Sequence, residues 1–354
     1  MKAKLFKYRF WIAGIAAAIL IVGAATFAYV GSRSKPNSVT ASKGPAKVIK
    51  PPEPKTLPSP LTGVQVDPSL AHRPVTAVII ENQIDARPQS GLSQAGVVYE
   101  ALAEGGITRF LAFYQDGQAG KIGPVRSVRT YFVDWALEFG APVAHAGGNV
   151  DALDLIGPLG MKNMDGLYNG PSSAFYRVSD RYAPHNFYTS SSALDKLEQQ
   201  LGYYQPSSFT PSPRKTDTPE ATASHPVIKL NYSYNGYQVE YDYDAAHNDY
   251  VRFLDGVPHI DRETGQQLRT KNLVIEIMPT SYGLTRLGEQ TVIMQTVGQG
   301  RALVFRDGGV VEGTWRKTSH NARTLLLDAN GAEIPLDAGS TWYGILPPDR
   351  SFSY

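Results

Sequence analysis

Between Phe10 and Val30 the chain runs FWIAGIAAAILIVGAATFAYV without a single charge. A segment apolar on every side has no solvated face, so as a helix it lies in a membrane or deep in a large core. Its length matches the ~20 residues that cross the hydrocarbon of a bilayer. Lys2, Lys4, Lys7 and Arg9 precede it and a long polar region follows. By the positive-inside rule this predicts a cytoplasmic basic tail (1–9), a single transmembrane helix (10–30) and an extracytoplasmic remainder. A cleaved signal peptide is the competing reading, since Thr26 and Ala28 loosely satisfy a small-x-small site. The run exceeds the roughly 7 to 15 apolar residues usual in such peptides, which favours a signal anchor in the cell membrane.

The chain has no cysteine. That removes disulfides, Cys-ligated metals, a thiol nucleophile and a lipid-modified cysteine after the apolar run. An exported protein of this kind is held by the size of its cores. With 354 residues it exceeds the roughly 250 to 300 at which single cores stop growing, so two domains are expected. Residues 31–60 are rich in Pro, Lys and Ser and predict a disordered linker, and QPSSFTPSPRKTDTPEATASHP (205–226) predicts a second. The folded parts are then 61–204 and 227–354, expected to fold independently because neither linker carries apolar side chains to dock it. A formal charge of +2 gives no reason to expect nucleic acid as a partner.

The first part alternates short apolar strands with helical patterns, which predicts an α/β (α+β) domain. VTAVII (75–80) reads as a buried strand, and VVYEALAE and ITRFLAFYQ flank Gly105 and Gly106 as an antiparallel hairpin. In GPVRSVRTYFVDWALEFG (123–140) the apolar residues Val128, Phe132, Trp135, Ala136 and Phe139 recur at helical spacing, with Ser127 as N-cap and Gly140 before Pro142 as the stop. Asn149 is expected to cap a short helix through DALDLI, and Ser192 with Asp195 has the spacing of a capping box. The second part joins Tyr-, Val- and Leu-rich runs across Asn-Gly, Asp-Gly and Gly-Gly turns, which predicts a β-rich domain, sandwich or open barrel.

Phosphate-loop, HExxH, GxGxxG and EF-hand patterns are all absent from the sequence, and Gly91-Leu92-Ser93-Gln94-Ala95 lacks the second glycine of a serine nucleophile elbow. No metal and no cofactor are expected. Three strand-to-helix junctions gather polar residues: Arg126 and Arg129 at the start of the first helix, His145 and Asn149 around Gly147 and Gly148, and Arg181, His185 and Asn186 around Pro184. Ligands of α/β folds sit where strand ends meet helix starts. A helix N-terminus with arginines beside it suits a phosphate or carboxylate. The competing structural reading pairs one arginine with a carboxylate such as Asp134 or Glu104 and makes His145 a satisfied core histidine.

The strings ARPQSGLSQAGVVYEALAEGGITRFLAFY, KIGPVRSVRTYFVDWALEFGAPVAHAGGN and RYAPHNFYTSSSAL closely resemble the YerB-like family of exported bacterial lipoproteins with a domain of unknown function. NDYVRFLDGVPHID, GQGRALVFRDGG and GTWRK resemble that family's C-terminal domain more loosely. The resemblance implies an extracytoplasmic protein of two domains and carries no activity. Where members have a lipobox cysteine this chain has none. The expectation is therefore a membrane-anchored protein that binds an anionic cell-envelope ligand or acts as a scaffold, with the β-rich domain available to an envelope protein partner. The alternative is an enzyme, a phosphotransferase or hydrolase, acting on a phosphorylated or carboxylated envelope substrate.

Overall fold

The computed structural model describes residues 55–168 and 173–354. The predicted basic tail, transmembrane helix and most of the first linker lie outside the described residues, among which no helix is long and apolar enough to cross a membrane.

The first part of the chain folds into β1 (Thr76–Glu81), β2 (Val97–Leu102), β3 (Thr108–Tyr114), α1 (Thr130–Glu138), β4 (Val143–His145), α2 (Val150–Leu159), β5 (Asn163–Asp165) and α3 (Ser191–Leu201). β1, β2 and β3 are buried along their whole length, as continuous apolar strands covered on both faces are. The hairpin between β2 and β3 forms around Gly105 and Gly106, both with the positive φ that favours glycine.

Helix α1 starts two residues later than the spacing suggests. Arg129 is its N-cap and gives no side-chain cap. The Ser127 hydroxyl instead donates to the Ala146 carbonyl, and the Val128 amide to Gly147, so residues 125–128 run extended beside the sheet before the helix begins. Asn149 caps α2 as expected, accepting from the Ala152 amide. The cap of α3 is Ser190, two residues before the predicted Ser192, and Asp195 pairs with Arg73 at 2.6 Å in place of closing a capping box.

The second part contributes β6 (Val227–Asn231), β7 (Gln238–Asp244), β8 (Asp249–Leu254), β9 (Asn272–Ile277), β10 (Thr280–Leu284), β11 (Gln290–Met294), β12 (Gly298–Arg306), β13 (Gly309–Lys317), β14 (Leu325–Leu327) and β15 (Thr341–Leu346). β6, β7 and β8 form the centre of a six-stranded sheet. β10 and β11 pair only with each other, and β9 and β12–β15 enter a ten-stranded sheet of order β14-β13-β12-β9-β15-β2-β3-β1-β4-β5. Its joint is the parallel pair β15 and β2, with Thr341 beside Val97 and Gly344 beside Glu100. One sheet therefore passes through both parts of the chain.

Side chains lock that joint on both faces. Tyr99 of β2 stacks between Trp135 of α1, at 5.0 Å, and Tyr343 of β15, at 4.4 Å. On the other face Arg252 of β8 meets Glu100 of β2 at 2.8 Å. The stretch 205–226, expected to be an undocked linker, threads along the same joint. Phe209 packs on Phe139, Arg214 donates to the carbonyls of Leu61 and Asp337, and Lys215 bridges Asp307 and Asp337. Its composition supplies no core of its own, but these three side chains are enough to fix it against its neighbours. The stretch 205–226 is thus docked, and the two parts share a sheet.

Candidate functional site

Glu81 ends β1 and stands directly opposite Arg109 of β3 in the antiparallel register. Cross-strand partners share a face of the sheet, and here it is the face covered by α1. The Glu81 carboxylate does not pair with Arg109. It accepts from Arg126 Nε on one oxygen and from His185 Nδ1 on the other, both at 2.9 Å. Arg129 is clamped by both oxygens of Glu104, at 2.6 to 2.8 Å. Burial pushes the Glu104 carboxyl up, but the Arg129 guanidinium outweighs it and holds the group below the usual carboxylate range.

Arg109 is left without a carboxylate. Its side chain is 9% exposed, Nη1 donates to the Ser127 carbonyl at 2.7 Å, and the buried Nε has no partner among the described residues. Burial, and after it the charges of Arg129 and Arg126, lower its pKa to about 10. It remains a cation at neutral pH. The Ser127 carbonyl it grips lies just before α1, whose first two amides, on Thr130 and Tyr131, meet no protein acceptor among the described residues. Three guanidinium groups thus converge with two carboxylates at the positive end of a nine-residue helix.

Of the residues singled out from the sequence, Arg126, Arg129 and His185 come together here. The other four are occupied elsewhere. His145 is fully buried, its Nδ1 paired with the Gly147 carbonyl and its Nε2 with Asn163. Asn149 spends its oxygen on the α2 cap and its amide on Thr291. Arg181 donates to the carbonyls of Ala86 and Pro88, and Asn186 is tied to Arg177 and Val178. Asp134, considered as a counter-charge, faces Thr296 and His320 instead, and Ser93 hydrogen-bonds Asp261. Glu81 escaped notice because it closes a strand that reads as plain core. Its one signal is a carboxylate following five buried residues at a strand's end.

Two family models match the chain: the DUF3048 N-terminal domain over residues 61–204 and the DUF3048 C-terminal domain over 228–343, both described as protein of unknown function. The chain is 34% identical over 296 residues to a Bacillus subtilis (strain 168) protein named "Putative lipoprotein YerB", covering 83% of this chain and 87% of that one. A crystal structure of YerB protein from Bacillus subtilis is similar with a TM-score of 0.74 at 34% identity, over 84% of this chain and 100% of the other.

Proposed function

We propose, for a chain that belongs to the YerB-like DUF3048 family, a membrane-tethered extracytoplasmic protein whose arginine cleft binds an anionic group of a cell-envelope component. The observation that carries this reading is Arg109. At neutral pH this buried guanidinium keeps its charge, and an uncompensated charge out of water is costly. An anion at the start of α1 would meet that charge, the two unpaired amides and the outer edges of Arg126 and Arg129 together. The relative's name speaks of a lipoprotein, which supports the envelope location. This chain has no cysteine to acylate, so the run from Phe10 to Val30 takes the anchor's place.

Titration of the full chain in nanodiscs with inorganic phosphate and ethyl phosphate tests the reading. Arg109→Met, and separately the pair Arg126→Ala with Arg129→Ala, are expected to weaken binding at least about tenfold, roughly 1.4 kcal/mol. Binding that survives both changes, or that is never seen with the unaltered chain, overturns it.

A second reading, an enzyme on the same class of substrate, is favoured by one contact. His185 Nδ1–H donates a hydrogen bond to buried Glu81, which orients the ring and leaves Nε2 as the general acid or base beside the arginines. Turnover of phosphate esters that His185→Gln abolishes, with binding retained, would establish it.

A further inference from the structure

Glu104 belongs to two places at once. Its carboxylate clamps Arg129, and the same residue, with Gly105, forms one end of a cavity of about 400 Å³. The opposite wall is the β10 and β11 ribbon, which pairs with neither large sheet and packs against α1 and the turn after β2. Tyr282 and Leu284 alternate onto one face of the ribbon, Val292 stands opposite Tyr282, and all three line the cavity. Tyr282 and Leu284 are 60% and 66% exposed, and Leu287 in the turn between the strands is 65% exposed. Large apolar side chains grouped on one exposed ribbon mark a surface that is covered in use. What lies next to this one is a cluster of arginines.

We propose that the ligand of the arginine cleft is an amphiphile: a phosphate ester whose head sits at Arg109, Arg126 and Arg129 and whose aliphatic chain lies along Tyr282, Leu284 and Val292. The inference rests on the anion-binding reading and names its substrate class. A free phosphate or sugar phosphate would use the arginines and leave the ribbon bare. A lipid-linked phosphate uses both, and Glu104 sets the junction between them.

The test compares ethyl phosphate, hexyl phosphate and hexanol on the full chain in phosphatidylcholine nanodiscs, with protein-free nanodiscs subtracted. Each buried methylene adds a few-fold in affinity, so hexyl phosphate is expected to bind at least about tenfold tighter than ethyl phosphate. The pair Tyr282→Ser with Leu284→Ser should bring hexyl phosphate down to the ethyl level while ethyl phosphate binding and the melting temperature stay as they were. Arg109→Met should weaken both esters. Equal affinity for the two esters overturns the chain subsite and leaves the arginine cleft standing. An advantage that survives the double substitution, or that hexanol matches without a phosphate, also overturns it. Failure of ethyl phosphate to bind the unaltered chain is instead the failure of the anion-binding reading.

Discussion

Two buried arginines lie on opposite faces of the central sheet. Arg252 comes from β8 and reaches Glu100 of β2 at 2.8 Å, while its Nε donates to His259 Nδ1 at 3.0 Å, another nitrogen meets the Tyr241 hydroxyl, and the Trp342 ring lies 4.4 Å away. His259 can accept because burial, and then the Arg252 charge, hold its pKa well below the usual range, so Nδ1 is bare and Nε2 donates to Gln89. Glu100 takes a further bond from Thr108. Arg109, on the α1 face, has one carbonyl and an empty Nε. The first arginine is closed by the protein around it and joins the two family regions. The second keeps a buried donor without a partner among the described residues, and the proposed anion site rests on that difference.

The largest effect should come from breaking the closed arginine. Arg252→Ala leaves Glu100 buried with no counter-charge and should cost about 3–5 kcal/mol in urea unfolding. Arg109→Met removes an uncompensated buried charge for the loss of one hydrogen bond. Its stability should stay within about 1 kcal/mol of the unaltered chain or rise. Equal losses from the two substitutions would erase the distinction, and Arg109 would then be a core element like its counterpart.

Glu276 sharpens the contrast because it too is buried without partners. Neither of its oxygens finds a donor among the described residues, and burial, then the Glu138 charge, push its pKa up to about 8. A carboxyl has the exit an arginine lacks: it keeps its proton. The folded protein holds that proton where the unfolded chain, titrating near 4.5, has released it. Stability therefore falls as pH rises from about 4.5 to about 8, and the penalty is complete above that window. Glu276→Gln should remove this slope and stabilise the protein at pH 9 by up to about 5 kcal/mol, with little change at pH 5. Parallel stability curves for the two proteins between pH 5 and 9 would mean that the carboxyl is charged and solvated.

What the sequence made legible follows the range of the interactions. The β2 and β3 hairpin, the α2 cap and the body of α1 rest on turn glycines, one asparagine and helical spacing, all local. The start of α1 was misplaced because Ser127 had a competitor for its hydroxyl, the Ala146 carbonyl, that only the folded chain brings near. The shared sheet was illegible for the same reason: Thr341 and Val97 pair across most of the chain, and nothing in either strand announces the other. At the site, Arg126 and Arg129 are legible because arginines beside a helix start suit an anion. Their carboxylates, 45 and 25 residues distant in the chain, come from strand ends that look like core or turn.

The smallest expected effect concerns one of those carboxylates. Glu104 holds Arg129 with both oxygens and so competes with a phosphate for that guanidinium. The pair is part-exposed, at 12% and 22% for the two side chains, so its own contribution to stability is about 0 to 1 kcal/mol. Glu104→Gln keeps the shape, removes a negative charge from the cleft and frees Arg129 to turn toward the ligand. Phosphate affinity should rise by up to about fivefold, the most that a pair of that strength can withhold. The gain should shrink in high salt, where screening weakens the competing carboxylate as well as the ligand. A loss of affinity on the same substitution would give Glu104 the opposite role. The carboxylate would then be the residue that aims Arg129, and the open arginine would resemble the closed one more than its empty Nε suggests.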